Sequence, residues 1–255
     1  MSLNLSLQCI GFCGVDDSVD PRLLAAVSQR YDWVEWGVLF RDDMQGKPRF
    51  ATFEWLDDLN SINRSRFMKL AAHLCSKYIT QLLNGDTTFV KFLRDTHGFR
   101  RFQLNATAAN NVDSSSLGPT EAAALRKAAE ELSDVEFIIQ RNEETKALWE
   151  GLLSSVPPNV SFLFDESKGR GTVLTEYPPP PPQGVRFGYT GGLGPDNLKR
   201  QLELMASAGA GREIWVDMES SMRTRLADGG DVFDVAKAVR CVRAVIELGL
   251  KPEAA

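Results

Sequence analysis

FLFDESKGRG, residues 162–171, sets an apolar run against an abrupt polar turn, and the boundary between them is Asp165. A strand buried on both faces shows nearly continuous hydrophobicity rather than alternation. Such strands belong to parallel sheets, whose connections are long crossovers. Outward from this stretch the same kind of segment recurs. SLQCIGFCG (6–14), WVEWGVLF (33–40), RFMKLAAHLC (66–75), FRRFQLNA (99–106) and VEFIIQ (135–140) precede it, and VRFGYTGG (185–192) and EIWVDMES (213–220) follow. The stretch at 66–75 lacks β-branched residues, so its pattern leaves a helix open as an alternative.

Helical patterns separate most of these runs. DPRLLAAVSQRY starts with Asp20 as a cap and Pro21 at the first helical position. Residues 118–134 carry Thr120 as a cap, Glu121 in the first turn and strong helix formers after it. Residues 142–156, 194–211 and 231–249 are also helical in pattern. About eight strands alternating with helices, in roughly 250 residues, predict an α/β fold: a (β/α)8 TIM barrel forming a single domain over residues 1–255. A doubly wound open sheet is the alternative. The five prolines at 178–182 exclude helix and central strand and predict a stiff polyproline connection between the sixth and seventh strands.

Composition narrows the function classes. The chain has 255 residues, 43% of them hydrophobic, with a formal net charge of -5. That balance argues against a broad nucleic-acid footprint. No run approaches the ~20 apolar residues of a membrane span. The start, MSLNLSLQCIGFCG, lacks the basic region and cleavage site of a signal peptide, so a cytoplasmic protein is expected. Four cysteines make no disulfide framework here, and two histidines, His73 and His97, supply neither a zinc cluster nor an obvious triad.

In a barrel of this kind, chemistry sits where the strands end. Cys13 ends the first strand. Arg41 and Arg49 follow the second. Gln103 and Asn105 end the fourth, and Asp165 the sixth. Gly191 and Gly192 end the seventh, and Asp217, Glu219, Ser220 and Ser221 lie on and after the eighth. A thiol with a lowered pKa acts as a general base, and a carboxyl with a raised one acts as a general acid. Glycine amides ahead of a helix, as in GGLGPDN, form a nest for phosphate that Ser220 and Ser221 extend. A loop arginine grips a planar carboxylate. No strand-end lysine stands in a Schiff-base position.

Taken in order, these residues resemble the phosphoribosylanthranilate isomerase family of the tryptophan pathway. The resemblance rests on FCGVDD, GVLFRDDMQGKPRFAT, RFQL, FLFDESKGRGT, YTGGLGPDNL and WVDMESS. It implies an Amadori rearrangement of a phosphoribosylated amine, with a phosphorylated sugar as ligand and no metal or organic cofactor. Cys13 would be the base at the sugar C2′, Asp165 the acid at the ring oxygen, and Arg49 the clamp on the anthranilate carboxylate. Gly191, Gly192, Ser220 and Ser221 would hold phosphate, with Gln103 and Asp217 on the substrate. The chain also departs from the family. Asp16 and Asp17 stand beside the Cys-Gly pair, and carboxylates near a thiol predict a raised pKa for Cys13. Gln103–Leu104–Asn105–Ala106 replaces Gln-Leu-His-Gly. A phosphate-cup glycine is absent after the last strand, where Glu219 stands to repel phosphate. The alternatives are a non-catalytic phosphosugar-binding barrel and an isomerase of a different phosphosugar, as monomer or homodimer. The 166–184 loop, with Lys168 and Arg170, is expected to act as a lid.

Overall fold

In parallel and in chain order, β1 (Ser6–Cys13), β2 (Val34–Phe40), β3 (Lys69–Leu74), β4 (Arg101–Leu104), β5 (Glu136–Arg141), β6 (Val160–Phe164), β7 (Phe187–Tyr189) and β8 (Glu213–Met218) pair with one another. β8 returns to β1 and closes the ring. The structure, a computed structural model, describes residues 3–165, 172–209, 211–227 and 229–253. The expected (β/α)8 barrel is therefore the fold, and the open sheet is excluded by the β1–β8 pairing.

The helices are α1 (Pro21–Arg30), α2 (Phe53–Ile62), α3 (Lys77–Leu83), α4 (Thr88–Phe92), α5 (Pro119–Glu131), α6 (Lys146–Leu153), α7 (Leu198–Ala208) and α8 (Val235–Glu247). Asp20 caps α1, its Oδ1 accepting from the Arg22 N–H at 2.9 Å. α5 starts one residue before the expected cap, so Thr120 lies inside its first turn. The last helix is shorter than its pattern. Arg223–Arg225 (β9) and Asp231–Phe233 (β10) form an antiparallel hairpin, and Asp234 then caps α8 through the Ala236 N–H at 3.0 Å. The ambiguous 66–75 stretch is a strand because β2 and β4 hydrogen-bond both of its edges.

One crossover is unusual. Between β6 and β7, residues 172–186 contain neither helix nor strand. The proline run lies here and its carbonyls are tied down: Tyr189 Oη donates to Pro178 O at 2.7 Å and Arg212 Nη1 to Pro181 O at 2.5 Å. No helix among the described residues is long and apolar enough to cross a membrane. All four cysteines are free and buried.

Strand residues alternate between the helices and the barrel interior. Phe12, Trp36, Phe102, Phe137, Phe162 and Val216 face outward into the main core. The inward set makes layers. At the N-terminal end Arg101 donates to Glu35 at 2.6 Å and to Glu136 at 2.9 Å. Its guanidinium lies 4.6 Å from the Trp215 ring centre. Ile138, Leu163 and Trp215 pack together as an apolar middle. Gly188 is what admits the indole, since a Cβ there would lie 2.5 Å from the ring. The third layer, at the strands' C-terminal ends, is polar.

Candidate active site

A cavity of about 330 Å³ opens over that third layer. Wider hollows lie on the outer surface, one beside Ser76 and Lys77 and one between α1 and α8, but neither gathers strand-end carboxyls. Its walls include Arg41, Arg49, Gln103, Asp165, Asp217 and Glu219. Gly191, Gly192, Ser220 and Ser221 form part of the rim. Of the nine residues to which the resemblance gives a role, Cys13 alone is missing from this lining.

Asp165 follows β6 directly and is buried, accepting from Gln140 Nε2 on β5 at 3.0 Å. Asp217 projects from β8 into space that Gly11 leaves open; a Cβ at Gly11 would lie 2.6 Å from the Asp217 Oδ1. Burial pushes the Asp217 carboxyl well above the ordinary carboxylate range, and Glu35, Glu219 and Asp165 push the same way. Arg101 opposes them. Glu219 is also raised, by burial, against the pull of Arg49 and Arg223. Gln103 turns its amide to Asn105, donating to its Oδ1 at 2.9 Å.

Arg49 reaches the cavity, but it is already engaged. Its backbone sits at φ 78°, pinned by an N–H bond to Asp16 Oδ2 at 2.5 Å. Its guanidinium pairs with Asp231 at 3.1 Å and Glu219 at 3.3 Å, and Nη1 also donates to Ser220 Oγ at 3.3 Å. Glu219 thus faces the cavity, as its position after the last strand predicts, but with a guanidinium beside it.

On the rim, Gly191 and Gly192 have φ of 113° and 60°, which a side chain rarely adopts. Asn197 holds the turn from both sides: its Nδ2 donates to Gly192 O at 2.8 Å and its Oδ1 accepts from the Gly194 N–H at 2.9 Å. Among the described residues no acceptor takes the N–H groups of Gly191, Gly192 or Leu193. The Ser221 hydroxyl donates to Leu193 O and so ties the two rim loops together rather than pointing at a ligand.

Cys13 lies beneath the floor, 1% exposed, with Sγ 3.2 Å from His73 Nδ1. Gly37 leaves the room for that pairing, since a Cβ there would meet His73 Nε2 at 2.7 Å and Cys13 Cα at 2.9 Å. Burial drives the thiol well above its ordinary value, with Glu219 and Asp217 adding to it, and drives His73 down to about 3. The resting pair is neutral thiol and neutral imidazole. Asp16 and Asp17, from which the sequence predicts a raised thiol, are not the cause. Asp16 takes Arg223 Nη2 at 2.8 Å and Asp17 takes the Thr52 N–H at 2.8 Å, so both clamp loops instead.

His73, Gln140, Thr190 and Asp231 were not anticipated. The first three share a signal, inward parity near a strand's C-terminal end; Asp231 arrives on the β9–β10 hairpin, which no local pattern announced. The glycine-bearing segment after Asp165, with Lys168, Arg170 and the start of the expected lid, lies outside the described residues. Among the described residues no three His, Cys, Asp or Glu side chains converge as they would around a metal ion.

No protein-family model matches the chain, and neither does any curated protein sequence. Solved structures do. Phosphoribosyl anthranilate isomerase from Thermococcus kodakaraensis superposes with a TM-score of 0.51 at 15% identity, over 94% of this chain and 99% of that one. The phospho-2-dehydro-3-deoxyheptonate aldolase (DAHP synthase) of Thermotoga maritima gives 0.52 at 12%, over 96% and 70%. A truncated 3-deoxy-D-arabino-heptulosonate 7-phosphate synthase from the same organism gives 0.52 at 13%, over 98% and 91%. At such identities the likeness is one of fold, and the fold carries more than one chemistry. What the comparisons establish for this chain is a (β/α)8 barrel.

Proposed function

We propose that the chain is an acid–base isomerase of a phosphorylated sugar, with the anthranilate-type Amadori rearrangement as the specific form that the family resemblance implies. The observation that carries this is the pairing of two features in one cavity. The Gly191, Gly192 and Leu193 amides stand on the rim with no acceptor among the described residues, and the buried carboxyls Asp165 and Asp217 stand on the floor below. Such a rim takes the phosphate, and such a floor moves protons.

Asp217, pushed well above the ordinary carboxylate range by burial, is the group suited to give up a proton. It delivers that proton to the ring oxygen as the C1–O bond breaks and the nitrogen lone pair forms C=N. Asp165, oriented by Gln140, then removes the C2 proton to give the enolamine, which tautomerises to the ketose. No oxidant or reductant enters. The resemblance gives the base role to Cys13 and the acid role to Asp165. The burial of Cys13 outside the cavity lining favours a carboxylate as base. Turnover of phosphoribosylanthranilate generated in situ tests the scheme. Asp165→Asn and Asp217→Asn are expected to lower kcat ~100-fold or more, and Cys13→Ala less than ~10-fold. A parent protein with no turnover sinks it. The engagement of Arg49 with Glu219 and Asp231 favours a second reading, a phosphosugar-binding barrel without catalysis. For that reading ribose 5-phosphate raises the Tm while turnover is absent.

A further inference from the structure

We infer that the N-terminal mouth of the barrel is a second ligand site, which takes a small hydroxylated anion whose acidic end is a carboxylate or a phosphate. The site is separate from the strand-end cavity and does not rest on the reaction proposed above. A cavity of about 280 Å³ opens at the Arg101 layer, among the first residues of β1, β2, β3 and β4. That volume suits a small metabolite rather than a nucleotide.

The first argument is the floor. Glu35 and Arg101 line the cavity and are 5% and 8% exposed. Arg101 donates from Nε to Glu136 and from Nη1 to Glu35 Oε1 and to Cys9 Sγ, the last at 3.3 Å. Its Nη2 has no acceptor, and Glu35 Oε2 has no donor. The ion pair thus answers its charges and still leaves one donor and one acceptor buried without a partner, which is costly. A hydroxyl both donates and accepts.

The second argument is charge at the mouth. The remaining charged lining residues are Arg66, Lys69 and Arg100, all cations. Arg66 lies across Gly98, where a Cβ would be 2.5 Å from its Nη1. Its guanidinium is fixed there by neutral acceptors, Asn60 Oδ1 at 2.7 Å and Thr96 O at 3.1 Å. No carboxylate among the described residues pairs with Arg66 or Lys69, and Arg100 approaches Asp134 only at 3.9 Å. In a chain of net charge -5, three cations gathered on one cavity with so little carboxylate beside them favour an anion. Carboxylate and phosphate are the groups a guanidinium fork grips.

Calorimetric titration with two pairs of probes tests the site: malate against succinate, and glycerol 3-phosphate against propyl phosphate. Members of a pair differ only in hydroxylation, and the two pairs tell carboxylate from phosphate. In one pair or both, the hydroxylated anion is expected to bind about tenfold tighter. Arg66 and Lys69 are exposed, so Arg66→Ala combined with Lys69→Ala leaves the buried floor in place. That double variant is expected to weaken the binding about fivefold. No binding by any probe, no hydroxyl preference in either pair, or a double variant that binds as tightly as the parent overturns the inference. The first outcome would mean that water alone serves the two buried atoms. The last would place the anion elsewhere, as at the Gly191 and Gly192 rim.

Discussion

The two ends of the barrel interior are built from similar residues and used in opposite ways. At the N-terminal end one arginine, Arg101, lies between Glu35 and Glu136. Arg186 adds a second cation to Glu136 at 3.4 Å, and Ser161 donates to its other oxygen at 2.6 Å. Arg101 Nη2 and Glu35 Oε2 are the atoms left over. At the C-terminal end Asp165, Asp217 and Glu219 border a cavity with Arg41 and Arg49, and three rim amides have no acceptor among the described residues. Charge matched inside a fold holds it together. Titratable groups gathered around a strand-end cavity, with Asp217 raised by burial, are placed for chemistry rather than for holding the fold.

The sharpest break of this contrast is at Arg101. Arg101→Met keeps the bulk and removes the charge, leaving Glu35 and the buried side of Glu136 unpaired. Urea unfolding is expected to show a loss of ~3–5 kcal/mol, the usual result of stripping one partner from a buried ion network. A loss under ~1 kcal/mol would mean that the matched end contributes no more than a surface pair.

The matched end was the less legible of the two. Arg101 and Glu35 sit in runs that a pattern of buried strands treats as lapses, and their meeting depends on a register that only the closed ring supplies. The strand-end residues were legible because the fold itself names the position: Asp165, Asp217, Gly191 and Gly192 all lie where the strand count puts them. What periodicity could not convey was depth. Cys13 ends β1 as expected, yet Gly37 lets it sink against His73, so a correct position on the chain became a place under the floor. The β9–β10 hairpin was lost for another reason. Its two strands have three residues each, and DVFDVAKAV is helical in period until Asp234 caps it.

Two glycines sharpen the comparison. At Gly188 a new methyl meets the Trp215 ring at 2.5 Å, and the indole is locked in the apolar middle. Gly188→Ala is expected to cost ~1–3 kcal/mol by overpacking, seen as a lower urea midpoint. At Gly11 the methyl meets the free end of the Asp217 carboxylate at 2.6 Å, which can swing away. Gly11→Ala is expected to lose less stability than Gly188→Ala but to weaken sugar-phosphate binding or turnover by ~10-fold. If Gly11→Ala proves the more destabilising, the polar layer is packed as rigidly as the apolar one and the contrast fails.

The smallest effect carries a sign that only the C-terminal end gives. Folding raises the Asp217 carboxyl well above its ordinary value, so the folded chain keeps a proton that the unfolded chain has released. The unfolded state therefore binds fewer protons, and stability falls as pH rises through about 4. That loss is absent below the unfolded value and complete only above the folded one. Asparagine carries no such proton. Asp217→Asn is expected to be more stable than the parent by ~1 kcal/mol at about pH 8, with the gap closing below about pH 4. The same variant is the one expected to lose turnover. A variant that is less stable than the parent at alkaline pH would show Asp217 to be a structural carboxylate, matched by partners in the way Glu35 is.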